Sequence, residues 1–147
     1  MDKILIVGIG NLLCRDEGIG VHVIQEMKKM ELPGHIELLD IGTSTMDLIA
    51  YLDGVKKLIV IDAMKAGGTP GTIYKCKPDD LLPEEEGPIS LHEIGLLESL
   101  NMAQKMGMKI DTVIIGVEPK VLDWEMELSD EVKSKIPNII EAVLKES

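Results

Sequence analysis

The chain has 147 residues, of which 45% are hydrophobic, and its 15 Lys and Arg against 26 Asp and Glu give a formal net charge of −11. This length suits one domain covering residues 1–147, and the core must be aliphatic because the sequence holds no Phe, one Trp and two Tyr. So acidic a chain is repelled by nucleic acid phosphates and by anionic lipid, which argues against both as partners.

Short apolar runs alternate with helical patterns from the first residues onward. The run Ile4-Leu5-Ile6-Val7 is continuous, as in a strand buried on both faces, and a glycine-rich turn follows it. Val23, Met27 and Met30 then recur at helical spacing. The predicted elements of the first half are a strand at 4–7, a helix at 19–30, a strand at 35–41, a short helix at 44–52 and a strand at 58–61.

The second half continues the alternation. Ser90 and Glu93 have the spacing of a capping box, so a helix should begin there and bury Leu96, Leu100, Ala103 and Met106. Pro137 interrupts the last helical pattern and predicts a kink or a late helix start. The predicted elements are an edge strand at 71–76, a surface loop at 78–88, the helix from 90, a strand at 112–117 and a helix from 129.

This alternation predicts a three-layer α/β fold, in which a mostly parallel, twisted, five-stranded sheet has helices on both faces. Ligands of such sheets gather outside the carboxyl ends of the strands. Five polar side chains just past the first three strands should therefore share one edge: Asp16, Glu17, Asp40, Thr43 and Asp62. We call Asp16 and Glu17 the acidic turn.

Several carboxylates at one edge repel each other unless a cation lies among them. His92 falls in the first turn of its helix, four residues before Leu96, and could join Glu17 and Asp62 there. A Glu, an Asp and a His with an open position suit zinc, nickel, iron or manganese. Simpler interpretations compete: Glu17 as a solvated helix-start charge, Asp62 as a backbone cap and His92 as an ordinary first-turn histidine.

A nucleotide site is the second hypothesis. Gly8-Ile9-Gly10 after a strand is typical of the start of a dinucleotide-binding loop, and Asp40 ends the second strand. The third glycine of that loop is replaced by Leu13, and the acidic turn would repel a pyrophosphate. A third hypothesis is a non-catalytic, metal-sensing protein that uses the carboxylate and histidine site.

Six segments in order give the chain a resemblance to a known family. They are Ile6-Val7-Gly8-Ile9-Gly10-Asn11-Leu12, Asp16-Glu17-Gly18-Ile19-Gly20-Val21, Asp40-Ile41-Gly42-Thr43, Ile61-Asp62-Ala63, Ser90-Leu91-His92-Glu93 and Ile115-Gly116-Val117-Glu118-Pro119. Leu128-Ser129-Asp130-Glu131-Val132 follows as a closing segment. Together they resemble the nickel–iron hydrogenase maturation endopeptidases, which trim the C-terminus of the hydrogenase large-subunit precursor.

The resemblance implies a catalytic metal site made by Glu17, Asp62 and His92, with Asp40 and Thr43 binding the substrate. The implied metal is nickel already inserted in the precursor, and other divalent metals could substitute for it. The implied partner is therefore the large-subunit precursor. We also expect a monomer in the cytosol, because Cys14 and Cys76 suggest no disulfide framework and no stretch is long enough to span a membrane.

Overall fold

The computed structural model describes residues 2–11, 15–81, 91–120 and 127–147, with only the backbone described for 15, 81 and 91–94. Its strands are β1 (Lys3–Ile9), β2 (Ile36–Gly42), β3 (Val55–Ala63), β4 (Ile73–Cys76) and β5 (Asp111–Val117). Its α-helices are α1 (Ile19–Met27), α2 (Leu91–Lys105), α3 (Asp130–Lys133) and α4 (Ile136–Glu146). Short 3-10 helices cover Arg15–Gly18, Thr45–Tyr51 and Pro78–Leu81.

Within the described residues the strands form one five-stranded sheet in the order β2-β1-β3-β5-β4. The first four strands in that order are parallel, and β4 pairs antiparallel with β5 at the edge. This confirms the predicted mostly parallel sheet and the edge position of the fourth strand. The chain runs from β1 to β2 on one side of β1, and from β3 to β4 and β5 on the other side. The carboxyl ends of the neighbours β1 and β3 therefore form the topological switch point of the sheet.

Both faces of the sheet are covered by aliphatic side chains, as the composition predicted. Alternate residues of β1 serve the two faces: Ile4 and Ile6 pack under α1 and α4, whereas Leu5, Val7 and Ile9 pack under α2 and the Thr45–Tyr51 helix. All five are at most 8% exposed. The three-layer arrangement therefore follows from burial on both sides of the strands.

The ends of the first two helices differ from the sequence prediction, whereas the start of the last helix agrees with it. Helix α1 ends at Met27, so Met30 is 42% exposed, and Met106 lies beyond the end of α2 and is 63% exposed. The last helical pattern is split into α3 and α4, with Pro137 in the first turn of α4, which confirms the late start. The predicted 78–88 loop begins as a 3-10 helix, and the rest of it, with the Ser90 cap, lies outside the described residues. No helix in the described part is long and apolar enough to cross a membrane.

Candidate functional site

The acidic turn lies at the switch point, in the 3-10 helix Arg15–Gly18 that leads into α1. Two glycines bring it there. A Cβ at Gly10, whose φ is +143°, would collide with the carbonyl oxygen of Glu17, and a Cβ at Gly20 would collide with that of Ile61. The backbone around Glu17 is therefore packed directly against the carboxyl ends of β1 and β3, and the Glu17 side chain is half-buried.

Asp62 is the other carboxylate of the crevice. It is the second-last residue of β3 and only 5% exposed. Its Oδ1 accepts a hydrogen bond from the backbone N–H of Ala63 at 2.8 Å. Gly20 packs against the carbonyl of Ile61, one residue before Asp62, so the acidic turn and Asp62 occupy adjoining backbone. The predicted meeting of these two acidic segments at one sheet edge is confirmed.

His92 lies in the first turn of α2, as predicted. Helix α2 precedes β5 and must run antiparallel to it, so the first turn of α2 is at the carboxyl edge of the sheet. Gly95 packs against the Thr45 side chain, which places this end of the helix beside the segment that follows β2. The side chain of His92 is outside the described residues, so its part in the site remains a prediction.

The two predicted substrate-binding residues end β2 at the same edge. Asp40 is half-buried, and its Oδ2 lies 3.4 Å from the Nζ of Lys28. Thr43 follows the strand directly and is exposed. Asp40 pairs with Gly8, which also pairs with Ile61, so β1 alone separates Asp40 from the crevice. Asp40 and Thr43 thus lie at the carboxyl edge of the sheet, one strand away from the crevice.

The donor set suits a divalent cation. Two carboxylates, one buried and one half-buried, belong to adjoining segments at the switch point, and carboxylate oxygens are ligands for divalent cations. Among the side chains that the structure describes, no three His, Cys, Asp or Glu groups form a metal cluster. A third ligand would therefore come from outside those side chains, and His92 is the predicted one.

Asp16 has a role that the sequence did not reveal. Its side chain is 0% exposed. Its Oδ2 accepts hydrogen bonds from the backbone N–H of Lys120 at 2.8 Å and from the Ser129 hydroxyl at 2.7 Å, and its Oδ1 accepts one from the backbone N–H of Ser129 at 2.7 Å. Asp16 thus ties the acidic turn to the chain after β5, and its carboxylate is fully used by these three donors.

Glu118, directly after β5, was also missed and holds the loop that follows Asp62. It is 5% exposed, and its Oε1 accepts hydrogen bonds from the backbone N–H groups of Ala66 and Gly68 and from the Tyr74 hydroxyl, all at 2.8–2.9 Å. Burial alone would raise the pKa of this carboxyl, but these hydrogen bonds outweigh burial and bring the pKa below its usual value. Glu118 is therefore a charged anchor for the crevice wall.

The lowered pKa predicts a pH-dependent contribution of Glu118 to stability. Because the folded state binds the proton less tightly, the contribution is complete above the unfolded pKa and is lost as the pH falls through the folded pKa. At pH 7 we expect Glu118→Gln to lower the free energy of unfolding by about 1–2 kcal/mol, because hydrogen bonds to a charged carboxylate are stronger than those to a neutral amide. Urea unfolding of both proteins from pH 7 to pH 3 tests this, since the gap between them should close with acid. A gap that stays constant would contradict it.

The glycine-rich turn after β1 is used for packing, which disfavours the nucleotide hypothesis. The space beside the Cα of Gly8 is filled by the carbonyl of Gly20, and that beside Gly10 by the carbonyl of Glu17. A dinucleotide loop instead leaves these faces open and directs N–H groups at the phosphates. Carbonyl oxygens and two carboxylates make this end of α1 unfavourable for an anion.

Comparison with known proteins identifies the family of the chain. The family model of the HycI hydrogenase maturation proteases matches residues 21–146. The chain is 37% identical to the hydrogenase expression/formation protein HupD of Rhizobium leguminosarum bv. viciae, over 97% of this chain and 73% of that protein. It is 30% identical to the hydrogenase 2 maturation protease of Escherichia coli strain K12, over 97% of this chain and 88% of that one.

The fold comparison gives the same answer. The solved structure of the hydrogenase maturating endopeptidase HybD from Escherichia coli matches with a TM-score of 0.87 and 30% identity, covering 98% of this chain and 91% of that one. Family model, sequence relatives and fold agree over nearly the whole length of the chain. The chain therefore belongs to the hydrogenase maturation protease family, and it is an endopeptidase.

Proposed function

We propose that this endopeptidase removes the C-terminal extension of a nickel–iron hydrogenase large-subunit precursor after nickel has been inserted. Glu17, Asp62 and His92 would recognise the nickel, which belongs to the substrate rather than to the protein at rest. The observation that carries the proposal is the acidic switch point. Asp62 is buried there, one residue after the Ile61 carbonyl on which Gly20 packs, and the half-buried Glu17 packs its backbone on Gly10. The chain belongs to a family of hydrogenase maturation proteases.

Glu17 and Asp62, which we call the acidic pair, give a physical reason why cleavage would follow nickel insertion. Two carboxylates that are partly withdrawn from water repel each other, and a precursor without metal brings no charge to relieve that repulsion. A nickel-loaded precursor brings a cation to Glu17 and Asp62 and so gains binding free energy that the empty precursor lacks. Discrimination between the two substrates then follows from differential affinity at one point of the crevice.

Cleavage requires attack of water on a peptide carbonyl and a proton for the leaving amine. A metal ion can polarise such a carbonyl or lower the pKa of a water. The chain itself contributes orientation and proton transfer: a carboxylate oxygen of Glu17 or Asp62 that does not hold the metal can accept the proton of the attacking water and pass it to the leaving amine, while His92 helps to hold the metal. The carboxylates come from two rigid segments packed on each other, which favours a fixed geometry.

Asp40 and Thr43 would bind the precursor backbone next to the cleavage point. Thr43 is exposed just past β2, so its hydroxyl is available to a substrate group. We expect Thr43→Val to raise KM about 5- to 10-fold, the effect of losing one hydrogen bond, with a small change in kcat. Steady-state kinetics on nickel-loaded precursor would show this; a loss confined to kcat would place Thr43 in the chemical step instead.

Intact mass measurement tests the proposed reaction. The purified protein is incubated with nickel-loaded large-subunit precursor, and we expect the precursor mass to fall by the mass of one C-terminal peptide, which appears in equal amount. A metal-sensing factor without peptidase activity would bind the precursor and leave its mass unchanged. Cleavage at an internal site, or no cleavage by the folded protein, would contradict the proposal.

A further inference from the structure

The segment Val117–Lys120, which we call the brace, lies between the two acidic segments of the site. It contains Val117, the last residue of β5, and Glu118 and Pro119 directly after it. None of these residues belongs to the proposed ligand set. Asp16 contacts one end of the brace and the loop after Asp62 contacts the other. The brace is therefore placed to control how Glu17 and Asp62 stand relative to each other.

On the Glu17 side, Asp16 makes the contact with the brace. The Lys120 N–H donates to Oδ2 of Asp16 at 2.8 Å, and Ser129 donates its N–H and its hydroxyl at 2.7 Å each. Two of these three donors are backbone groups, which no change of rotamer can move. With 0% exposure, no water replaces them, so the three bonds fix the position of the residue before Glu17.

The contacts on the Asp62 side are made by Val117 and Glu118. The Val117 carbonyl accepts a hydrogen bond from the N–H of Met64 at 2.9 Å, two residues after Asp62. Oε1 of Glu118 accepts from Ala66 at 2.8 Å and from Gly68 at 2.9 Å. Val117, Glu118 and Lys120 of the brace thus contact the chain on both sides of the crevice.

We propose that Asp16 is a positioning residue, which sets Glu17 against Asp62 by fastening the acidic turn to the brace. The inference rests on the proposed function for the role of Glu17. The acidic turn needs such an anchor because a 3-10 helix of four residues, Arg15–Gly18, has little stability of its own. A displacement of about 1 Å at a catalytic group can lower a rate on the order of 100-fold, so an anchor next to Glu17 has large leverage.

Asp16→Asn is the direct test. The amide keeps the size of the carboxylate but offers one acceptor oxygen, and its NH₂ would face N–H or O–H donors that need an acceptor. We expect faster hydrogen exchange of the Lys120 and Ser129 amides and a processing rate lower by about 10- to 100-fold. Because Asp16 acts through Glu17, the double variant with Glu17→Gln should be no slower than Glu17→Gln alone. Rates are taken with protein in excess over precursor, so that slow variants remain measurable.

Val132→Ala controls for stability. Val132 is fully buried in the same short helix that Ser129 caps, so its truncation weakens α3 without touching Asp16. We expect a lower Tm with an unchanged rate well below that Tm. Should Asp16→Asn not fold, Ser129→Ala removes the hydroxyl contact with Asp16 together with the cap on the Val132 N–H. Val132→Ala controls for the weakened α3, and we expect a smaller loss of rate that also disappears in the Glu17→Gln background.

The outcomes separate the two claims. If folded Glu17→Gln processes precursor at the normal rate, the proposed role of Glu17 fails. If Glu17→Gln is impaired while Asp16→Asn, with its two amides exchanging faster, works normally, the positioning role of Asp16 fails and that of Glu17 stands. The positioning role would also be overturned if the rate losses of Asp16→Asn and Glu17→Gln multiplied in the double variant. It would likewise be overturned if Val132→Ala lost as much rate as Asp16→Asn.

Discussion

Glu17→Gln and Asp62→Asn are each expected to lower precursor processing at least about 100-fold, the size typical of removing one electrostatic contact at a reacting centre. Both changes keep the volume of the side chain and remove its negative charge. That charge is what would attract a nickel ion on the precursor. Asn at 62 can still accept the hydrogen bond from the Ala63 N–H, so the end of β3 should stay in place. The rate is measured by the mass of the precursor over time, and circular dichroism confirms folding.

Asp111→Asn is the matched control for this experiment. It makes the same chemical change at the first residue of β5, on the opposite edge of the sheet, where Asp111 forms surface ion pairs with Lys57 and Lys77. We expect it to process precursor normally, since exposed pairs contribute little. His92→Ala belongs in the same series and should be as inactive as the carboxylate variants. Normal processing by Glu17→Gln, Asp62→Asn and His92→Ala would refute the proposed site.

Gly20→Ala is expected to destabilise the fold by about 3 kcal/mol or more, because the added methyl group has no room. Its Cβ would collide with the carbonyl oxygens of Ile61 and Ile9, which are held in the sheet between β1 and β3. Backbone atoms at the centre of a sheet cannot move aside as a flexible side chain can. The melting temperature should fall by roughly 6–12 °C for a domain of this size, which a thermal unfolding scan measures.

Gly34→Ala provides the comparison, since a Cβ at Gly34 meets nothing within 4 Å. We expect that variant to stay within about 0.5 kcal/mol of the parent chain. If Gly20→Ala were equally harmless, the direct packing of α1 on the sheet would be wrong, and with it the argument that these glycines serve packing rather than a nucleotide. Saturable binding of dinucleotides or mononucleotides to the parent chain would also contradict that argument.

The sequence was sufficient to predict the parts of the fold that depend on local pattern. The run from Ile4 to Val7 is apolar at every position because β1 is buried on both faces. Parallel strands bring their carboxyl ends to one edge whatever their order, so Asp62 could be placed near the acidic turn from sequence alone. The strand order itself, with β1 between β2 and β3, became visible only in the structure.

The braced side of the site depends on contacts between distant residues. Asp16 is 104 residues from Lys120 and 113 from Ser129, and no spacing rule connects positions that far apart. Ser129 could be recognised as a helix cap, which it is, since its Oγ accepts from the Val132 N–H. Its second bond, to Asp16, had no local signal. Glu118 likewise looked like part of a strand-end motif rather than an acceptor for the loop after β3.

Misplaced apolar residues have a simpler cause. Met30 and Met106 continue the helical spacing of α1 and α2 by one step, but both helices have ended before those positions. Helix ends are set by where the chain must turn toward the next strand, which the spacing of side chains does not encode. Pro137 was more informative, because proline fits the first turn of a helix and thus marks where α4 begins.

The most direct test of the central claim compares one precursor in two states, with and without nickel. Both preparations are incubated with the protein, and intact masses are recorded over the same times. We predict loss of the C-terminal peptide from the nickel-loaded precursor and loss at least about 100-fold slower from the empty one. The empty precursor lacks the nickel ion that would contact Glu17 and Asp62. Equal cleavage of the two preparations would contradict metal recognition by Glu17 and Asp62.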